Sequence, residues 1–221
     1  MGWLRFVLIR TILSPLALFL TGADVVDRQR LPLVGPAIIA GNHNSHMDTL
    51  LLLSVFPARA LKWVRPVAAA DYFLRTPAMS WFSRNIIGIV PIERVKAGQG
   101  VDVLAPAREA LEKGAILVIF PEGTRGSKEK EMGPLKSGIA RLAAAFPQAP
   151  VTPVWIQGAG RVLPKGAFLP VPMNCCALVD EAIEWNGDQA QFLATLRESL
   201  EALRQQAPPL QWRDPGETPE A

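Results

Sequence analysis

The chain has 221 residues, 49% of them hydrophobic, and 23 Lys and Arg against 20 Asp and Glu give a formal net charge of +3. That length and apolar content suit one well-buried α/β domain without a second one. The charge suits a negatively charged partner, with anionic lipid headgroups, acyl carrier protein and nucleic acid all admissible, while adjacent Cys175 and Cys176 exclude a small disulfide framework and a CxxC metal site.

From Gly2 to Leu20 the chain is largely apolar, with Arg5 and Arg10 inside it and Pro15 towards its end. No stretch of about 18 charge-free apolar residues remains, so a transmembrane helix is disfavoured. Trp3, Leu4, Phe6 and Leu8 with two arginines predict a segment lying at headgroup depth, its cations reaching water. A signal peptide is the competing reading, with Thr11 to Leu20 as its apolar region and Thr21-Gly22-Ala23 as its small-residue end. Asp24 to Leu33 reads as a charged, proline-bearing connector.

Pro36 to Ala40 is a short apolar strand running into Gly41-Asn42-His43-Asn44-Ser45-His46-Met47-Asp48, ahead of a helix-like Thr49 to Val55. His43 and Asp48 are spaced so that a turn between strand and helix lets the carboxylate meet one imidazole nitrogen while the other faces a substrate. An imidazole held in one tautomer by a carboxylate is a general base suited to an alcohol, and no serine or cysteine nucleophile is needed if the alcohol is the substrate. Taken alone, the same spacing also describes a satisfied turn histidine.

Leu61 to Ala70 is a further strand region. Asp71 to Arg84 interleaves Tyr72, Phe73, Trp81 and Phe82 with Arg75 and Arg84, interrupted by Pro77. Two readings stand: a membrane-interface surface, or an ordinary helix with its rings in the core. Asp102 to Lys113 has a helical apolar face and stops at Gly114.

The unbroken run Ala115 to Ile119 is what a strand buried on both faces looks like, and it ends in Phe120-Pro121-Glu122-Gly123-Thr124-Arg125-Gly126. Past the end of such a strand an open α/β sheet presents its ligand-binding groups. Arg125 suits phosphate oxygens, Gly123 close backbone approach, and Thr124 a hydrogen bond, so the predicted ligand is an anion, a phosphate ester first. Gly126 to Lys136 is a charged loop, Ile139 to Phe146 a helix, and Val151 to Ile156 and Asn174 to Val179 strands, with both cysteines as buried filler. Gln189 to Arg204 is an amphipathic helix capped by Asp188, and the proline-rich chain from Ala207 reads as disordered.

Together, in this order and about 75 residues apart, the Asn-His-x4-Asp and Phe-Pro-Glu-Gly-Thr-Arg blocks resemble those of the PlsC family of glycerolipid acyltransferases. Ile86 to Arg94 resembles the family's second block, which implies that Arg94 contacts the acceptor phosphate, although Pro91 stands where the family often has Phe. Val151 to Ile156 resembles the fourth block, assigned in the family to packing near the acyl chain.

The resemblance covers about residues 36 to 180. It implies acyl transfer from acyl-acyl carrier protein or acyl-CoA to the free hydroxyl of 1-acyl-glycerol 3-phosphate, giving phosphatidic acid, with His43 and Asp48 catalytic. Arg94 and Arg125 would hold the phosphate, with Glu122 orienting an arginine or accepting from the glycerol; no cofactor or metal is called for. The expected architecture is a single α/β domain (residues 34–206) with a mostly parallel or mixed sheet flanked by helices. An N-terminal membrane-associating segment and connector (1–33) precede it and a tail (207–221) follows, at the cytoplasmic face of a membrane and without nucleic acid.

Independently of the family, His43, Arg94 and the Glu122–Arg125 pair all follow apolar runs, so parallel neighbouring strands would bring them to one sheet edge. Three rivals are weighed against this: another acceptor, such as a different lysophospholipid or a lyso-ornithine lipid; a metal hydrolase using His43, His46 and Asp48; and a non-catalytic basic protein that binds a membrane surface or nucleic acid.

Overall fold

In a computed structural model of the chain, residues 2–93, 102–123, 132–164 and 169–209 are described. Their centre is a seven-stranded mixed sheet in the order β1-β7-β6-β2-β5-β3-β4. The strands are β1 Asp24–Val26, β2 Ala37–Gly41, β3 Val64–Ala69, β4 Val90–Ile92, β5 Ile116–Ile119, β6 Val151–Gln157 and β7 Cys176–Val179. From β6 to β4 all neighbours are parallel, whereas β7 runs antiparallel to β6 and carries β1 parallel to itself.

The unbroken apolar runs have a simple cause: both faces of the sheet are covered. Ala37, Ile39, Ile116, Val118, Val154 and Ile156 pack on one face with Leu51 and Leu52 of the helix His46–Val55 and with Ile9 and Ala17 of the N-terminal helix. Their alternates Ile38, Ala40 and Leu117 pack on the other face, against helices Ala105–Glu112, Gly138–Ala145 and Gln189–Gln206 through Leu111, Leu142, Phe192, Leu196 and Leu200. Local signals set the helix ends. Phe56 is extended ahead of Pro57, which stops the helix His46–Val55, and Gly114 takes a left-handed φ of 75° between Ala105–Glu112 and β5. Asp188 accepts the N–H of Gln191 and caps Gln189–Gln206.

Three expectations change. The connector after the N-terminal helix contributes β1, because Asp24 to Val26 pair with Cys176 to Leu178. Three residues carry too little periodicity to be read as a strand. The apolar segment is one helix, Gly2–Thr21, with a π-helical turn at Ile9–Leu13, and it is long and apolar enough to cross a membrane by length and composition despite its two arginines. Finally, Arg5 does not reach water. It is 6% exposed and donates to the carbonyls of Leu61 (2.6 Å), Val64 (2.8 Å) and Ile87 (3.1 Å), so the helix is fastened to the domain where headgroup contact was expected.

The aromatic segment resolves towards the surface. Trp81 and Phe82 of the helix Pro77–Phe82 are exposed, as are Trp3, Phe6, Ile12, Leu16 and Phe19 of the N-terminal helix. Pro91 lies in β4, the edge strand, where a missing N–H is tolerated. Cys175 and Cys176 are buried against opposite sides of the sheet, and the tail from residue 210 lies outside the described residues.

Candidate active site

The site begins where β2 ends, at the centre of the sheet's C-terminal edge. Asn42, directly after β2, spans to β6 with its whole amide: Oδ1 accepts the N–H of Ile156 (2.6 Å) and Nδ2 donates to the Ile156 carbonyl (2.8 Å). This buried clamp extends the β2–β6 pairing beyond the ladder and fixes the direction in which the next residue leaves the sheet.

That residue is His43. Its Nδ1 lies 2.9 Å from Asp48 Oδ2, and the same oxygen accepts the N–H groups of Asn44 (2.7 Å) and Ser45 (2.8 Å). The spacing follows from helix capping. Ser45 is the N-cap of His46–Val55 and accepts from the N–H of Met47, while Asp48 in the first turn reaches back to the cap's N–H. Two backbone donors on the same Oδ2 hold the carboxylate in place, and its contact with His43 orients the imidazole with Nδ1 inward. The Asp48 side chain is 1% exposed and that of His43 17%. The Nε2 atom of His43 has no protein partner among the described residues.

Phe120 and Glu122 complete the arrangement from β5. The β2–β5 register pairs Ala40 with Ile119, so His43 and Glu122 each stand three residues past a matched pair. Phe120 stacks on the His43 ring with centroids 4.2 Å apart and planes 17° from parallel. The buried carboxylate of Glu122 accepts the His43 N–H at Oε1 (3.0 Å) and the Gly133 N–H at Oε2 (3.0 Å). Glu122 was expected to orient an arginine or to contact a glycerol hydroxyl; among the described residues its two oxygens each accept a backbone N–H, which also makes it a brace between the histidine and the following loop. Gly123 takes φ 71°, and a Cβ there would lie 2.7 Å from Lys136 Cε.

The sheet edge therefore brings together His43, Asp48, Glu122 and Gly123 of the expected site. Thr124, Arg125 and Arg94 lie outside the described residues, although the strands that lead to them, β5 and β4, end on this same edge. Asn42, Ser45 and Phe120 acquire defined tasks that no spacing argument assigned. The signal for Ser45 was available, as a hydroxyl three residues before a carboxylate at a helix start. His46 goes elsewhere: its Nε2 lies 3.2 Å from Tyr72 Oη and its ring stacks on Tyr72.

The family model described as Acyltransferase matches residues 22–157, more than half of the chain and every residue of the site just described. The chain belongs to the acyltransferase family. Among similar acyltransferases is a chloroplastic 1-acyl-sn-glycerol-3-phosphate acyltransferase of Brassica napus, 33% identical over 65% of this chain and 40% of that protein. One of the same name from Arabidopsis thaliana is 34% identical over 60% of this chain and 35% of that protein. The chain thus spans less than half the length of these curated relatives. The crystal structure of a 1-acyl-sn-glycerophosphate acyltransferase, PlsC, from Thermotoga maritima matches with a TM-score of 0.68 and 22% identity, over 90% of this chain and 80% of that one. That match bears on the fold, including the mixed sheet and flanking helices.

Proposed function

We propose that this acyltransferase moves an acyl group from a thioester donor to the free hydroxyl of 1-acyl-glycerol 3-phosphate, giving phosphatidic acid. The observation that carries the reading is the His43–Asp48 contact of 2.9 Å with the far imidazole nitrogen unpartnered among the described residues. In the proposed step Nε2 takes the hydroxyl proton as the oxygen attacks the thioester carbonyl; the tetrahedral intermediate collapses, the thiolate leaves, and the imidazolium returns the proton to it. Asp48 holds the tautomer and stabilises the imidazolium. Arg94 and Arg125 are the proposed phosphate ligands, carried over from the sequence blocks, with Gly123 and Thr124 beside them. The names of the relatives support the acceptor; the donor, acyl carrier protein thioester or acyl-CoA, is left to experiment.

The exposed apolar face of Gly2–Thr21 and the exposed Trp81 and Phe82 support a membrane-surface location. The cytoplasmic side follows as a proposal from where acyl thioesters are made.

The test is to incubate purified protein with lysophosphatidic acid and each labelled donor, and to identify the lipid formed. Labelled phosphatidic acid is expected from wild type and none from His43→Ala. Absence of acylated product with every donor and every lysolipid tried would overturn the reading.

A further inference from the structure

A cleft of about 560 Å³ opens at the other end of the sheet. It is bordered by Val90 and Ala115, at the starts of β4 and β5, whereas His43 and Glu122 follow the ends of the parallel strands β2 and β5. The cleft and the site of acyl transfer are therefore on opposite edges of one sheet.

Its lining is strongly cationic. Arg5, Lys62, Arg65, Arg84 and Lys113 face it together with one carboxylate, Glu109, which is taken by Lys113 at 2.5 Å. Among the described residues the other cations have no acidic partner: Arg5 and Arg65 donate to backbone carbonyls, and Lys62 sits over the Trp63 ring. The Arg5 side chain is buried, and its Nε has no hydrogen-bond partner. Burial first, and the charge of Arg65 second, pull its pKa down to about 9. Gly88 keeps the wall open, since a Cβ on its left-handed backbone (φ 77°) would lie 2.7 Å from Arg5 Nε.

The surroundings say what kind of anion fits. Gly2 and Trp63 line the cleft, Trp3 and Phe6 continue from Gly2 along an exposed apolar helix face, and the exposed Trp81 and Phe82 stand with one residue between them and the lining pair Arg84 and Asn85. A cation cluster bordered by exposed rings and aliphatic side chains matches a molecule with a phosphate at one end and hydrocarbon at the other. We propose that this cleft seats the phosphate of an anionic membrane phospholipid, so that the protein is held on the bilayer at a second lipid site, separate from the one where acyl transfer takes place. The proposal does not depend on the acceptor or donor of the reaction.

The experiment is co-sedimentation of the full chain with phosphatidylcholine vesicles, with and without phosphatidylglycerol. Wild type should bind the anionic vesicles more tightly, and Arg65→Ala/Arg84→Ala should lose roughly 30-fold of that partition, the worth of two surface cations near a membrane, while binding to pure phosphatidylcholine is kept. Arg28→Ala/Arg141→Ala, which removes two exposed arginines that do not line the cleft, should lose several-fold less. An equal loss in both double variants, or an equal loss on both vesicle types, would overturn the site. Full competition by millimolar inorganic phosphate, reversing anionic-vesicle binding of wild type to the level of the cleft variant, would assign the cleft to a soluble phosphate and overturn the lipid. If the double variant does not fold, Arg84→Glu at its exposed position is read by the same criteria.

Discussion

The carboxylate of Glu122 accepts the backbone N–H of His43 at 3.0 Å, across the gap between β5 and β2. Its other oxygen accepts the N–H of Gly133, so one buried side chain joins the histidine to two points on a second chain segment. Hydrogen bonds to charged groups contribute about 1.5–3 kcal/mol each. Glu122→Gln can accept through only one atom and must release one of the two donors. Turnover is expected to fall by about tenfold or more, with a drop in unfolding midpoint, and Glu122→Ala should lose more of both. Steady-state kinetics alongside urea denaturation check this; unchanged kinetics in both variants would show that the brace does not position His43.

The two histidines separate cleanly. His43→Ala removes the proposed base and should lower kcat roughly 100- to 10,000-fold with the fold retained. His46→Ala breaks contacts with Tyr72 and the neighbouring Phe73, away from the His43–Asp48 pair, and should leave most of the turnover. Comparable losses in the two variants, measured on the same lipid acceptor, would contradict the assignment.

Asp48 has two duties that one substitution can divide. Asp48→Asn keeps an oxygen for the helix start but presents an amide able to reverse the imidazole tautomer, so activity should fall by about 100-fold or more with a modest stability change. Asp48→Ala also removes the cap interaction and should unfold earlier by about 0.5–2 kcal/mol relative to wild type. Chemical denaturation of both variants, read beside their turnover, distinguishes the two contributions.

Arg5 fastens the N-terminal helix through the carbonyls of Leu61, Val64 and Ile87. Arg5→Ala takes this donor from the Leu61 and Ile87 carbonyls, while Val64 keeps the guanidinium of Arg65, at about 1–3 kcal/mol for each group that stays buried and unpaired. Amide hydrogen exchange over residues 2–10 should accelerate while β2 and β5 stay protected. An unchanged exchange pattern would mean that apolar packing of Ile9 and Ala17 alone secures the helix.

Much of this was legible in the residues because the relevant signals are local. A strand covered on both faces is apolar along most of its length, as are Ala37 to Gly41, Ile116 to Ile119 and, apart from Thr152 and Gln157, Val151 to Gln157. The pairing of His43 with Asp48 is likewise local, since a capping turn spans only a few residues. β1 escaped notice because three residues paired with a strand some 150 positions later carry no pattern of their own.

What the sequence by itself determined is an α/β core of strands covered on both faces, several helix ends such as those at Pro57, Gly114 and Asp188, and the local His43–Asp48 spacing, all set by periodicity, glycine and proline positions and capping chemistry within short windows. Only the tertiary structure decided that Asn42 clamps β6, that Glu122 braces His43, that Phe120 stacks on the imidazole, and that Arg5 is buried rather than bathed in water. Each of these depends on which strands become neighbours and in what register, or on which face of the domain a helix docks. Those choices are made by the summed burial of distant apolar side chains, which no local stretch of residues records.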